Sequence, residues 1–391
     1  MSAGRPAPVL DERLARALAP WLDRPGPVLL AVSGGPDSTA LMHVAARCGP
    51  PARLRVATVD HGLRPEAAEE ARAVASLAAR LGLPHRTLVW NRPHRGSGLQ
   101  AAARDARYRL LAAHAAAIGA GLVLTGHTAD DQAETVLMRL IAGSGPAGLA
   151  GMRPERPLAP GIVLARPFLG LPKVDLVAHC EAHGLSVLHD PSNADDRFAR
   201  ARLRSLRPRL SEEGLTSERL CRLARRAARD DAALAHAASK ALAAGRRPSE
   251  SGRTILDGAS LATLPQAVAV RVVGMALDGA EAQAGEGLPH RLERLESLVL
   301  DALLPALAEG RAVRRTLRGW LIEATRSGEI RIGRAPPRRA GRPASARGGS
   351  LAAGVPDLLG KGEGAAYIAD EGMEQVSLSR DAARMPPRID R

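Results

Sequence analysis

Aromatic side chains are nearly missing from this chain: two Phe, two Tyr and three Trp among 391 residues. A surface that reads bases by stacking them on rings has little to build with, so any such readout would rest on Arg planes, shape and hydrogen bonds. Cysteine is equally sparse. Cys48, Cys180 and Cys221 are isolated and odd in number, with no C-x-x-C pair. This argues against a disulfide framework and a thiolate metal site, and fits a reducing compartment. No run approaches the roughly 20 apolar residues of a spanning helix. The Ala-rich stretch from Leu110 to Leu124 is broken by His114, Gly119 and Gly121. The first ten residues lack the apolar core of a signal peptide. The expectation is a cytoplasmic protein. Lysine is rare too, being confined to Lys173, Lys240 and Lys361.

What is present is the mixture of an ordinary globular protein, 45% hydrophobic and 25% charged, with a length that suits two to three domains. Basic residues number 55 against 41 acidic ones, a net charge of +14. Genomic base bias explains a choice of Arg over Lys, but not an excess of basic over acidic side chains. A polyanionic partner, most often nucleic acid, is implied.

From Val28 to about Leu188, short apolar runs alternate with longer amphipathic segments. Val28–Val32, Leu54–Val59, Arg86–Val89, Leu122–Thr125 and Ile162–Ala165 read as buried strands. Ser38–Ala46, Pro65–Leu81, Leu99–Ile118, Asp131–Ile141 and Lys173–His183 read as helices between them. The alternation predicts an α/β fold with a doubly wound parallel sheet, its ligand beyond the carboxyl ends of the strands. A smaller, mainly helical substrate-binding domain should follow. The divisions expected are 1–205 for the catalytic domain, 206–334 for the second, and 335–391 for a Pro/Arg/Gly-rich, poorly ordered tail.

The first strand runs into Ser33-Gly34-Gly35-Pro36-Asp37-Ser38 and then a helix. Glycines let the backbone approach an anion, and free amides at a helix N-terminus donate to it. Asp37 would repel bare phosphate, which suggests Mg²⁺ between carboxylate and phosphates. A Walker loop is excluded, because no lysine precedes Lys173. The string Gly143-Ser144-Gly145-Pro146-Ala147-Gly148 follows a helix rather than a strand, so it is a loop and not a dinucleotide fingerprint. A second constellation, Gly126-His127-Thr128-Ala129-Asp130-Asp131-Gln132-Ala133-Glu134-Thr135, follows the strand Leu122–Thr125. On a helix starting at Asp130, Glu134 lies one turn on from Asp130 and Asp131. Clustered carboxylates are costly to hold ionised unless they share a cation or an amine.

The loop Ser33–Ser38 resembles the pyrophosphate loop of the ATP pyrophosphatases, which cleave ATP to AMP and pyrophosphate. With Val59–Arg64, Ala103–Arg109, Gly126–Thr135, Gly143–Met152 and Asp190–Asn193 in order, the resemblance narrows to the tRNA(Ile)-lysidine synthetases. That resemblance implies adenylation of the wobble cytidine in the CAU anticodon of tRNA(Ile). Lysine then replaces the C2 oxygen, and AMP and pyrophosphate are released. The cofactors implied are ATP and Mg²⁺, the partners tRNA(Ile) and L-lysine, with no membrane and no stable protein partner. ATP would sit on Ser33, Gly34, Gly35, Pro36, Asp37 and Ser38. Asp37, Arg107, His127, Asp130, Asp131 and Glu134 would be catalytic, with Asp37 and Asp131 holding metal. Arg197 to Arg229 carries eleven Arg against three acidic residues, and Arg200, Arg202, Arg204, Arg222 and Arg225 are the expected tRNA contacts. Arg311, Arg314, Arg315 and Arg318 would add to them. The family usually has Asn where this chain has Ala201. A sulfur-inserting tRNA enzyme of the same superfamily is the alternative, disfavoured by the unpaired cysteines. His179 and His183, one helical turn apart, match neither a metalloprotease nor a deaminase string and read as ordinary helix residues.

Overall fold

The computed structural model describes residues 7–62, 66–91, 99–188, 199–249, 253–284 and 292–336. Two compact units divide between Asp231 and Ala232. The first begins with α1 (Ala7–Leu22), β1 (Val28–Ala31), α2 (Pro36–Cys48), β2 (Leu54–Asp60), α3 (Ala67–Arg80), β3 (His85–Val89) and α4 (Leu99–Ala117). It continues with β4 (Leu122–Thr125), α5 (Ala129–Ile141), α6 (Pro146–Leu149), β5 (Glu155–Ala159), β6 (Ile162–Ala165), α7 (Lys173–Ala182) and α8 (Ala199–Glu212). Helix α9 (Ser217–Gly245) contains the division.

The first unit is built on a six-stranded sheet in the order β3-β2-β1-β4-β6-β5. All neighbours run parallel except the β5–β6 pair. The five expected strands form the parallel ladder, and β5 is an addition. It carries Pro157 at the sheet edge, where a missing N–H costs no ladder bond. Every residue of β1 and β4 is buried, so these strands read as unbroken apolar runs rather than alternating ones. Their side chains still alternate between faces. Val28 and Leu30 pack with Leu10, Leu14, Leu18 and Leu22 of α1, Leu41 of α2 and Leu176 of α7. Leu29 packs on the opposite face with Tyr108, Leu111 and Ala115 of α4. The i, i+4 leucines of α1 supply the apolar stripe that commits this helix to the sheet. A separate cluster joins Ala133, Val136 and Leu137 of α5 to Leu203 of α8 and Leu220 and Ala224 of α9.

Chain order reverses between β1 and β4: β2 and β3 are laid on one side of β1, and β4 and β6 on the other. Such a switch point leaves a crevice outside the carboxyl ends of the two strands, the standard ligand position in doubly wound sheets. Ala31 lies opposite Thr125 in the ladder. The segments after them, Ser33–Ser38 and Gly126–Thr135, are therefore neighbours.

The second unit contains β7 (Arg246–Arg247), β8 (Thr254–Asp257), α10 (Gly258–Ala262), α11 (Gln266–Ala284), α12 (Leu292–Glu296) and a π-helical stretch at Ser297–Leu303. It closes with α13 (Leu304–Ala308), β9 (Val313–Leu317), β10 (Trp320–Ala324) and β11 (Glu329–Arg334). Alongside its helices stands a five-stranded antiparallel sheet, β7-β8-β11-β10-β9. Strand β10 alternates buried and half-buried residues, the pattern of a sheet covered on one face.

Candidate active site

The phosphate-type loop has the backbone its sequence requires. Gly34 sits at φ +88, and a Cβ there would meet Leu188 Cδ1 at 2.3 Å. Its carbonyl accepts the Leu188 N–H at 2.9 Å and the Thr39 hydroxyl at 3.1 Å. Ser38 Oγ accepts the Ser33 N–H at 3.1 Å and donates to the Gly35 carbonyl at 3.1 Å. Gly35 caps α2 without any side-chain hydrogen bond, and Pro36 opens the helix. First-turn amides of α2 are thus left for an anion.

Gly126 joins this loop to the acidic motif. A Cβ on Gly126 would lie 2.6 Å from the Asp37 carbonyl oxygen and 2.9 Å from the Ser38 nitrogen. Only a residue without a side chain lets the β4–α5 turn rest on the backbone of α2. Thr128 caps α5, and Asp131 Oδ2 accepts both its N–H at 2.8 Å and its hydroxyl at 3.0 Å. One oxygen of Asp131 therefore completes a capping box. Asp130 faces outward from the same turn. Its Oδ2 accepts the Lys173 backbone N–H at 2.7 Å, and its Oδ1 accepts from Arg207.

Lys173 closes the far side. Its Nζ donates to Asp37 Oδ2 at 2.8 Å. Burial pushes the Asp37 carboxyl above its ordinary pKa; Lys173 opposes that shift, while Asp131 and Asp130 reinforce it. Asp37 Oδ1 is buried with no hydrogen-bond partner. A buried, unpartnered carboxylate oxygen among other carboxylates suits a hard cation, so Asp37 fits the expected Mg²⁺. At Asp130 burial would raise the pKa, but the Lys173 N–H and the Arg207 guanidinium outweigh it and hold the carboxyl below its usual value.

Glu134 does not open into the crevice. It is buried, its two oxygens accept Arg204 Nε at 2.6 Å and Nη2 at 3.1 Å, and Arg207 Nη1 lies 3.8 Å away. The fork explains why α8, rich in arginine, docks on α5. Arg204, expected at a tRNA phosphate, is thus turned inward.

The opposite wall is cationic. His127 Nδ1 lies 2.8 Å from the Thr125 hydroxyl. Burial first, then Arg107, Arg166, Arg104 and Arg200, push its pKa well below the ordinary value. The ring is neutral at pH 7. Burial and Arg107 likewise lower His61, so Arg107 answers to both the β2 and β4 motifs. Arg107 makes no ion pair with any described residue, and Arg200 Nε is buried without a partner. Arginines held close without counter-charges form a seat for an anion.

Among the remaining expected tRNA contacts, Arg202 and Arg225 are exposed, and Arg222 pairs with Glu218 along α9. In the second unit Arg311 pairs with Glu309, Arg314 with Glu323, and Arg318 with Glu281. Arg315 is left without an ion pair among described residues. Ala201 is buried within α8. Asp190–Asn193 and Arg197 lie outside the described residues. Two site residues went unnoticed in the sequence, Lys173 and Arg207. The signal for the first was its isolation as the single lysine before Lys240, at the start of a helix. Arg207 is one arginine among eleven and offered none.

The PP-loop domain family matches residues 7–210. The chain is similar to the tRNA(Ile)-lysidine synthase of Methylobacterium nodulans, 56% identical over 337 residues that cover 85% of this chain and 98% of that one. It is similar to that of Rhodopseudomonas palustris, 47% identical over 342 residues, 83% of this chain and 94% of the other. A U34-tRNA thiolase structure from Methanococcus maripaludis superposes with a TM-score of 0.47 at 16% identity, covering 56% of this chain and 79% of that one.

Proposed function

Because the chain belongs to the tRNA(Ile)-lysidine synthases, PP-loop ligases that use ATP, we propose a division of the reaction among the residues of its crevice. Ser33–Ser38 and the first-turn amides of α2 cradle the β- and γ-phosphates. Asp37, with Asp131 beside it, would hold Mg²⁺, which when bound offsets phosphate charge as pyrophosphate leaves. The C2 oxygen of the wobble cytidine attacks the α-phosphate, the bond to pyrophosphate breaks, and C2 becomes electrophilic. Arg107 and Arg200 stabilise the charge on the adenylate and on the departing AMP. Neutral His127 offers a hydrogen bond without adding positive charge to that wall.

Lysine's ε-ammonium must lose a proton before it attacks C2. Asp131, whose helix cap uses only one of its oxygens, is the carboxylate that receives it. Asp130 and Glu134 are not, since both oxygens of Asp130 are taken by the Lys173 N–H and Arg207 and both of Glu134 by Arg204. The role of Glu134 is to hold α8 in position. Arg202 and Arg225, exposed on α8 and α9, contact the tRNA backbone. No described helix is long and apolar enough to cross a membrane.

The observation that carries this reading is the contact of Gly126 with the Asp37–Ser38 backbone, which makes one chamber of the triphosphate loop and the acidic turn. The decisive assay supplies ATP, Mg²⁺ and labelled lysine with tRNA transcripts differing at the wobble base. Label enters only the isoleucine transcript with a CAU anticodon; label in other transcripts, or in none, overturns the reading. Gly126→Ala drives the two turns apart, and a misplacement of about 1 Å lowers kcat/KM for ATP by roughly 10²-fold. Steady-state kinetics at saturating tRNA checks this, and an unchanged value separates the two motifs functionally.

A further inference from the structure

Away from the crevice, α1, α2 and α7 bring together polar side chains for which the reaction has no use. His43 on α2, His179 on α7 and His183 at the C-cap of α7 each offer a ring nitrogen, and these nitrogens lie within 4.8 Å of one another. The ring centroids form a tight triangle, 5.0, 4.7 and 4.6 Å on its sides. His43 Nδ1 and His179 Nε2 are 2.9 Å apart. Asp11, on α1, sits behind them, 2.7 Å from His179 Nδ1 and 2.9 Å from His183 Nε2. His43 and His179 are 7% and 1% exposed, whereas the His183 side chain keeps 21% exposure and leaves a path from solvent.

We propose that His43, His179 and His183 bind a divalent transition-metal ion of the zinc class, with Asp11 orienting the imidazoles of His179 and His183. The donor set selects the ion: imidazole nitrogens favour Zn²⁺ and its neighbours, while Mg²⁺ requires oxygens. A carboxylate accepting the outer N–H of a ligating histidine is the usual way such a ring is aimed and its tautomer chosen. With His179 Nδ1–H given to Asp11, its Nε2 lone pair points at His43. Metal–nitrogen bonds of about 2.0–2.1 Å in a tetrahedral site separate the nitrogens by roughly 3.3 Å, so the His43–His179 gap opens only slightly to admit the ion. Burial lowers the His43 pKa to about 4 and also lowers that of His179. Both rings are already neutral near pH 7, and binding expels no imidazolium proton from them. A hydrogen-bonded network through Asp11 ties in all three rings, His43 by way of His179 and His183 directly, but it uses only one nitrogen of His183 and leaves the other facing the triangle without a hydrogen bond among the described residues.

The ion would fasten α1 to α2 and α7, the helices whose opening turns carry Asp37 and Lys173. It therefore acts on the position of the phosphate loop, not on the chemistry.

The test uses the full chain, stripped with chelator and returned to excess Mg²⁺ so that oxygen sites are filled. Zinc chloride is titrated calorimetrically, and cobalt(II) is added in parallel for its visible absorption. The wild type binds one Zn²⁺ per chain, melts at a higher temperature with zinc, and gives the intense cobalt absorption of a tetrahedral site. His43→Gln and His183→Gln lose this binding, and Asp11→Asn weakens it by about 10–100-fold. His183→Gln, at the exposed corner, keeps the fold even if the buried variant does not, as circular dichroism checks. No saturable one-to-one binding by the wild type overturns the proposal, as does undiminished affinity in His183→Gln.

Discussion

Replacing Asp37 with alanine leaves tRNA binding intact and abolishes measurable pyrophosphate release. Asp37 stands where the two halves of the crevice meet. One of its oxygens takes the Lys173 ammonium, and the other is buried with no partner. With the carboxylate gone, the Mg²⁺ it would hold loses a ligand, and the charge leaving with pyrophosphate is no longer offset. Loss of one such electrostatic element typically costs about 10²–10³-fold in kcat. The arginines of α8 and α9 are untouched, so a filter or gel-shift assay returns wild-type tRNA affinity. ATP–pyrophosphate exchange in the presence of tRNA is the readout. Turnover within threefold of wild type would remove Asp37 from the reaction.

Glu134→Gln is the second large effect, and it falls on stability. Glu134 is 2% exposed and bound at both oxygens by Arg204, with Arg207 close by. Breaking a buried ion pair from one side costs roughly 3–5 kcal/mol, because the other charge is stranded. Arg204 keeps 34% of its side-chain exposure and recovers some hydration, which argues for the lower end, about 3 kcal/mol. In a unit of this size that lowers Tm by roughly 6–12 °C. Calorimetry of the wild type and the variant measures it. An unchanged Tm with lost kcat would return Glu134 to the chemistry, the role its place in the motif suggests.

These two carboxylates mark the reach of sequence reasoning. Both lie in recognisable motifs, and both were expected to be catalytic. One opens on the crevice and the other is closed by an arginine fork. Motif spacing places Glu134 one turn beyond Asp130 and Asp131, and the helix obeys. Spacing says nothing about which helix arrives to cover that face. The same holds for Lys173 and for His43, His179 and His183: each is unremarkable in its own segment and acquires meaning from a segment distant in the chain. Strand β5 and the antiparallel sheet of the second unit escaped for a related reason. The edge strand β5 carries too few apolar residues to show a period, whereas β11 does alternate, Glu329-Ile330-Arg331-Ile332, over a run too short to stand out.

Local physics decided the rest within the chain itself. Apolar runs commit β1, β2, β4 and β6 to largely buried parallel strands, whereas β3, expected to be buried, lies at the sheet edge with no buried residue. Gly34 with φ +88 and the start of α2 without a side-chain cap follow from neighbours in sequence alone. Clustered charges behave differently, since the field at a carboxylate is a sum over everything nearby, whatever its place in the chain. The choice among Asp37, Asp130, Asp131 and Glu134 therefore passed to tertiary structure, which brought Lys173 to the first, Arg207 to the second, a helix cap to the third and Arg204 to the last.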